Sequence, residues 1–159
     1  MDTIDHHIVQ RLQEDGRATQ LELAREVGLS QPSVAERIRK LEEAGVITGY
    51  TAKVDATLLG KEITAFVGVG IEHPRYFDGF AEAVRSIDDV LECHRVAGED
   101  TYLLKIKTQN PRTLDDLLTR TLRTIPGVTR TYTTMALRSI KEETRIRVPV
   151  EPPKKRRAR

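Results

Sequence analysis

The chain has 159 residues, of which 38% are hydrophobic and 31% are charged. This composition is ordinary for a globular protein, so neither a membrane class nor a disordered class is indicated. The longest apolar stretches, around 63–71 and 102–106, are far shorter than the roughly 20 residues of a membrane-spanning helix. Since the N-terminus is acidic and polar, unlike a signal peptide, we expect a cytoplasmic protein with no membrane partner.

The first two helices are predicted over residues 3–28. Ile4, Ile8 and Leu12 recur at helical spacing, and the helix is expected to stop at Gly16. Any of three residues could cap its N-terminus: Asp2, Thr3 or Asp5. The second helix is predicted to begin with the capping-box pair Thr19 and Glu22, to end at Gly28, and to bury these residues: Leu21, Leu23, Ala24 and Val27.

A third helix is predicted to begin at Ser30, with Pro32 in its first turn. Val34, Ile38 and Leu41 would form its buried stripe. Two capped helices joined by a glycine turn are typical of a helix-turn-helix, whose second helix enters the major groove of DNA. The exposed residues of this helix are the predicted DNA contacts: Gln31, Ser33, Glu36, Arg37 and Lys40.

Arg37 is the strongest single candidate, because arginine pairs bidentately with guanine, whereas Lys40 suits a phosphate. An alternative is a helical packing module whose polar face is merely solvated. Residues 1–60 hold 7 Lys and Arg against 10 Asp and Glu, and residues 151–159 hold 5 against 1. The helical half therefore lacks a broad basic face, and it needs placed cations, several copies or the basic tail for phosphate contacts.

A hydrophobic strand, beginning at 45–47, is predicted to close this first domain, which we place at residues 1–50. Residues 51–61 form a predicted linker with strand character, and residues 62–149 form the second domain. Alternating residues predict a strand at 63–71, and a helix follows Pro74. Residues 90–97 and 102–108 predict a hairpin around the turn 98–101. A second helix is predicted from Pro111 to Pro126, and a strand at 128–137.

The order βαββαβ predicts a ferredoxin-like sandwich, with two helices on one side of a four-stranded antiparallel sheet. The whole chain is therefore predicted to be α+β. Its uncovered sheet face would leave an apolar patch, which dimerisation would bury. Residues 145–148 look like a further short strand, and residues 150–159 are predicted to be a disordered basic tail, either solvated or a non-specific DNA-binding arm.

The chain resembles the leucine-responsive and asparagine-operon (Lrp/AsnC) family of prokaryotic transcription regulators over nearly its whole length. The matching residues are Asp5, Ile8, Thr131, Thr133 and the stretches 12–17, 27–30, 36–42, 45–50, 92–94 and 126–128. The resemblance implies an N-terminal winged helix-turn-helix that binds double-stranded DNA. It also implies a C-terminal domain that senses a small molecule, usually an amino acid, and builds homodimers that assemble into tetramers or octamers.

In that family the effector lies against the hairpin turn and the start of the last strand. The corresponding residues here are Gly98, Glu99, Asp100, Thr101, Thr131 and Thr133. Many family members carry an aspartate directly before the hairpin tyrosine, whereas this chain has Thr101 there and Asp100 one position earlier. Because a shift of one residue in a strand reverses the face, either Asp100 contacts an effector or the hairpin is purely structural.

Three functions are weighed. The first is a sequence-specific regulator controlled by an amino acid or related metabolite, and the second is an architectural protein that compacts DNA. The third is an enzyme, since some tetrapyrrole decarboxylases share this architecture. The four histidines, His6, His7, His73 and His94, show no metal-ligand spacing, and no phosphate-binding or nucleophile motif is present, so we predict neither an enzyme nor a cofactor. Cys93, in a predicted strand, is expected to lie in a core or interface.

Overall fold

The computed structural model describes residues 1–148, and the basic tail expected at 150–159 lies outside them. The chain forms two compact units. The first contains Met1–Lys53 together with the segment that begins at Glu142, and the second contains Val54–Lys141. Residues 142–148, which we assigned to the second domain, thus belong with the first. The reason is that the Gln13 side chain donates to the Ile146 carbonyl at 3.0 Å and accepts from its N–H at 2.7 Å. No helix within residues 1–148 has the length and apolarity needed to cross a membrane.

Three helices form the first unit, α1 (Thr3–Glu14), α2 (Gln20–Val27) and α3 (Gln31–Glu43). Asp2 caps α1, and Thr19 and Glu22 close the predicted capping box of α2. Ser30 caps α3, as predicted. Gly28 ends α2 with φ of 69°, a left-handed conformation that a residue without Cβ adopts at no steric cost.

The core of this unit lies between the three helices. Its buried residues are Ile8, Leu23, Ala24, Val34, Ile38 and Leu41. Leu29 packs against them after the glycine turn. The prediction that Leu21 is buried was wrong, since it is 47% exposed. Residues two apart on a helix do not share a face, so Leu21 cannot lie beside Leu23.

The predicted strand that closes the first domain does not form, and residues 44–62 contain no strand. The N–H groups of Val46 and Ile47 both donate to the carbonyl of Leu41, at 2.9 and 3.1 Å. Their backbone is therefore tied to the end of α3 instead of to a neighbouring strand. The strand predicted at 145–148 is also absent.

The second unit contains four strands and two helical regions, both on the same side of the sheet. Its strands are β1 (Ile63–Ile71), β2 (Val90–Arg95), β3 (Tyr102–Thr108) and β4 (Val128–Met135). A 3₁₀ turn at Pro74–Tyr76 leads into α4 (Phe77–Arg85). The sheet order is β2-β3-β1-β4, and all the paired strands are antiparallel, which confirms the predicted ferredoxin-like topology.

One face of the sheet carries the core. Val67 pairs with Leu104 on one side and Thr133 on the other, so these three residues share the face that the helices cover. Buried side chains from α4 and the second helix complete this core, including Phe80 and Leu122. The opposite face has no helix of this unit against it.

The second predicted helix is interrupted. It begins as α5 (Pro111–Asp116), continues as a π-helical segment at Leu117–Thr121, and ends in a 3₁₀ turn at Leu122–Thr124. The hydroxyls of Thr119 and Thr124 donate to carbonyls three or four residues earlier, at 2.8 Å in each case. Such bonds compete with the regular helical pattern, and they account for a departure that periodicity alone does not reveal.

Candidate functional site

The N-terminal end of α3 presents polar side chains at its exposed surface. Gln31 and Ser33 are both exposed in the first turn, and Ser33 shares a hydrogen bond of 2.8 Å with the cap residue Ser30. Lys40 is exposed two turns further along the helix. These three predicted DNA-contacting residues are therefore all exposed on α3.

Arg37 occupies a different environment from the one expected of a base-reading side chain. Its Nη1 donates to Asp5 at 2.6 Å and to Asp2 at 2.9 Å, and its side chain is 30% exposed. The hydrogen bond that Arg37 donates to the Asp5 carboxylate raises the pKa of Arg37, and the backbone N–H of Asp5 lowers the pKa of Asp2. Arg37 thus joins α3 to the N-terminus of α1.

Glu36 also has intramolecular partners. Arg39, a residue that our sequence reasoning missed, donates to Glu36 at 2.8 and 2.9 Å and also pairs with Glu43. Lys40 lies 3.5 Å from the same Glu36 carboxylate. The hydrogen bond from Arg39 lowers the pKa of Glu36 to about 2. The spacing of three and four residues between these charges was the available signal.

The predicted effector residues divide between two faces of the sheet. Asp100 lies over Gly68 on the open face, where a Cβ on Gly68 would overlap the Asp100 carboxylate. The Nη2 of Arg130 lies 3.3 Å from Asp100 Oδ1 and donates to the carbonyl of Glu99. Arg130 pairs with Gly70, so it shares this face. Sequence reasoning missed Arg130, although the alternation of β4 separates it from its neighbour Thr131.

The threonines lie elsewhere. Thr131 and Thr133 pair with Val69 and Val67 on the helix-covered face, and Thr131 accepts a hydrogen bond of 2.9 Å from Arg123. The structure therefore does not bring them together with Asp100. Thr101 holds the hairpin in place, because its N–H donates to Val69 and its hydroxyl accepts from Ile71. Gly98 lies in the exposed turn.

The open face of the sheet combines this ion pair with apolar side chains. Phe66, Leu103 and Tyr132 share it by strand register, and they are 40%, 38% and 71% exposed. Gly68 separates Leu103 from Tyr132 across the sheet. A patch of this composition is typical of a surface that another protein covers.

Two further residues that the sequence analysis discussed, Cys93 and His94, lie on the edge strand β2. Cys93 is exposed, so it does not lie in the core, and the interface position stays a prediction; partial burial raises the pKa of its thiol. His94 lies in the strand as expected, with its Nε2 3.2 Å from a carboxylate oxygen of Glu92. Within residues 1–148 no three His, Cys, Asp or Glu side chains are grouped so that they could hold a metal ion.

Family comparisons also divide the chain into two domains. Residues 1–48 match the family described as "Winged helix-turn-helix DNA-binding", and residues 64–146 match "Lrp/AsnC ligand binding domain". The chain is 36% identical to the leucine-responsive regulatory protein of Escherichia coli strain K12 over 148 residues, which cover 92% of this chain and 90% of that protein.

Solved structures of transcription regulators are also similar to this chain over nearly its whole length. A transcriptional regulator of Neisseria meningitidis, determined as a complex with L-methionine, is 32% identical with a TM-score of 0.85, covering 91% of this chain and 94% of that chain. The feast or famine regulatory protein of Mycobacterium tuberculosis, complexed with L-methionine, is 37% identical with a TM-score of 0.86, covering 93% and 99%.

Proposed function

The chain belongs to the Lrp/AsnC family of transcription regulators, and we propose that it binds specific DNA sequences through α3 under the control of an amino acid. The observation that carries the DNA-binding half is the arrangement of α2 and α3 about Gly28, with a side-chain cap on each helix. As a DNA-binding member of a prokaryotic family, the protein is expected to act in the cytoplasm.

The exposed residues of α3 have different proposed roles in DNA binding. Gln31 and Ser33, near the N-terminal end, are suited to base edges, whereas Lys40 and Arg39 are suited to phosphates. A phosphate competes with Glu36 for these two cations. We assign Arg37 a supporting role, in which it holds α3 against the start of α1 and does not contact DNA, because its guanidinium is already paired with Asp2 and Asp5.

The amino-acid site is supported by the ion pair between Asp100 and Arg130. A free amino acid carries an ammonium group, which needs an acceptor, and a carboxylate, which needs donors. At the hairpin, Asp100 provides the acceptor, and Arg130 beside it provides the donors. We propose that the ammonium group is held by Asp100 and the carboxylate by Arg130. The L-methionine complexes of the Neisseria and Mycobacterium proteins support this ligand class.

Several copies of the DNA-binding unit are needed because residues 1–60 carry a net negative charge. We propose a homodimer formed through the open sheet face that carries Phe66, Leu103 and Tyr132, with further assembly to tetramers or octamers. Linking two DNA-binding units raises the effective concentration of the second without adding new contacts. A dimer would therefore offset the weak binding of each copy.

A gel-shift titration with a promoter fragment and competitor DNA, repeated with each of the twenty amino acids, tests the proposal. At least one amino acid should change the apparent affinity, and this response should disappear in Asp100→Asn and Arg130→Gln. The control is Arg85→Gln, since Arg85 pairs with Glu82 on the exposed surface of α4. Sequence specificity would be refuted if promoter and competitor DNA bound equally.

The alternative, an architectural protein that compacts DNA, is favoured by the five Lys and Arg among residues 151–159. Deleting these residues distinguishes the two functions. A regulator would retain its sequence preference with weaker affinity, whereas an architectural protein would lose binding together with most of its salt dependence. We do not propose an enzymatic activity.

A further inference from the structure

An open cavity of about 560 Å³ lies beside α4 in the second unit. Its lining comes from the 3₁₀ turn before α4, from α4 itself and the turn after it, and from residues 120–126. Ile87 and Ile125, which both pack against the core, form part of its apolar lining. The cavity is therefore on the helical side of the sheet, whereas Asp100 and Arg130 are on the open face.

Tyr76 forms one wall of the cavity, and its ring packs against Gly127. Gly127 has φ of 88°, and a Cβ there would overlap the Tyr76 ring, so only glycine allows this close approach. Arg75 lies over the same ring, with its guanidinium carbon 4.7 Å from the ring centroid, and its Nη2 donates to the tyrosine hydroxyl at 2.8 Å. The position of this cation is thus set by two contacts.

A second cation, Arg120, comes from the π-helical segment. Its Nε pairs with Asp116 at 3.2 Å, and Asp116 itself is not part of the lining. Short π-helical segments are frequent at functional sites, because they displace side chains from the regular helical positions. The described lining thus contains two arginines and no Asp or Glu.

Gly79 keeps the cavity open. It lies inside α4, where glycine is unfavourable for the helix, and a Cβ built on it would meet nothing within 4 Å. Close packing therefore does not explain the glycine. What the missing side chain provides is space, since Gly79 is one of the residues that line the cavity.

We propose that this cavity binds a small monocarboxylate with a branched or aromatic apolar body, such as a 2-oxo acid. Arg75 and Arg120 would hold the carboxylate by charge-assisted hydrogen bonds, and the apolar lining would hold the body. An amino acid is the less suitable ligand, because the lining contains no carboxylate to accept hydrogen bonds from its ammonium group, and the adjacent Asp116 carboxylate is paired with Arg120. This site is separate from the proposed amino-acid site at the hairpin.

The test uses 4-methyl-2-oxopentanoate as the probe and L-leucine as the comparison, with the full-length protein and no DNA. Isothermal titration should show saturable binding of the oxo acid, and amide resonances of Gly79 and Ala83 should shift during the titration. Arg120→Gln should weaken binding at least about tenfold, because a charge-assisted hydrogen bond is lost.

Two further variants separate site occupation from general effects. Gly79→Leu should fill the cavity and abolish the shifts in a protein that remains folded, since its Cβ meets no other atom and leucine favours helix. Arg85→Gln, on the same helix but outside the lining, should bind like the unaltered protein. The proposal is overturned if the oxo acid does not bind, if L-leucine causes the same shifts at Gly79 and Ala83, or if Gly79→Leu retains full affinity. None of these outcomes bears on the gel-shift experiment, whose readout is DNA binding.

Discussion

The Arg37 guanidinium donates a hydrogen bond of 2.6 Å to the Asp5 carboxylate, and so joins the helix proposed to read DNA to the first helix of the same unit. The Asp5 side chain is only 17% exposed, and Asp2 adds a second acceptor at 2.9 Å. The hydrophobic core packs these helices together, whereas this pair fixes how α3 is oriented relative to α1. The pair therefore adds a polar contact between α1 and α3 outside the hydrophobic core.

Replacing Arg37 by Gln is expected to lower the free energy of unfolding of the first unit by about 1–3 kcal/mol, because the half-buried Asp5 carboxylate loses its partner. Hydrogen exchange at the amide of Ile38, a buried residue of α3, measures this change. The matched control is Arg39→Gln, whose partners Glu36 and Glu43 are exposed. That change should leave the exchange rate nearly unaltered, because an exposed ion pair contributes little to stability. Equal effects of the two variants would contradict the supporting role of Arg37.

The first unit should lose stability in acid. The pKa of Asp2 is lowered from its usual 3.8, mainly by the backbone N–H of Asp5 and also by Arg37. A carboxyl group whose pKa falls on folding adds stability above its unfolded pKa, and this stability is lost as the pH drops through the folded value. Urea midpoints should therefore decrease from pH 5 downwards.

Asp2→Asn should make that decrease shallower, because asparagine still caps the helix but does not titrate. A carbon-detected titration of the Asp2 carboxyl group gives a direct check. A midpoint at or above 3.8 would show that the cap does not favour the charged form.

Lys40→Gln should weaken DNA binding for every sequence to a similar degree, since we propose a phosphate contact for this residue. The slope of log K against log salt should fall in magnitude by about 1, the value for one lost phosphate contact. Filter binding at several salt concentrations measures it. Gln31→Ala is the informative comparison, because a base contact changes the ranking of sequences and leaves the slope unaltered. A Lys40 variant that altered sequence preference alone would refute the assignment.

Gly68→Ala should disturb the effector response more than it disturbs the fold. The added Cβ overlaps the carboxylate of Asp100, the end of a side chain that can move, so a stability change of about 1 kcal/mol or less is expected. Displacing Asp100 separates it from Arg130 and should abolish the amino-acid effect on DNA binding. Arg85→Gln is the control, since Arg85 pairs with Glu82 on the exposed surface of α4. An unchanged response in Gly68→Ala would count against the Asp100 site.

Gln13→Ala should release the segment around Ile146 from α1. Both hydrogen bonds between these residues use the Gln13 amide group, so one substitution removes both. Exchange of the Ile146 amide hydrogen should accelerate by at least about fivefold, because loss of a hydrogen bond costs about 1 kcal/mol or more. In Gln10→Ala, which removes only an exposed contact with Glu14, the rate should not change.

The helices were predictable wherever local chemistry determines them. The capping box of Thr19 and Glu22, the cap at Ser30 and the left-handed Gly28 all depend on residues within a few positions of each other. The alternation at 63–71 likewise predicted the strand β1. These features were confirmed because the interacting groups are close in the sequence.

The failures share a different cause. The chain after α3 was predicted as a strand from its apolar residues, yet a strand requires a partner, and here the backbone bonds to Leu41 instead. The helix from Pro111 was predicted as continuous because its leucines have helical spacing, whereas threonine hydroxyls accompany a change to π-helical geometry. In both segments, hydrogen-bond partners outweighed the apolar pattern.

The sequence by itself determined the two domains' classes, the caps of α2 and α3, the sheet topology and the family, since repeating spacing and short motifs carry that information. Only the tertiary structure decided which charges meet. It paired Arg37 with Asp5 across 32 positions and Arg130 with Asp100 across 30. It also separated Thr131 and Thr133 from Asp100 by placing them on the other face of the sheet. Electrostatic contacts act through distance in space, which local sequence patterns do not specify.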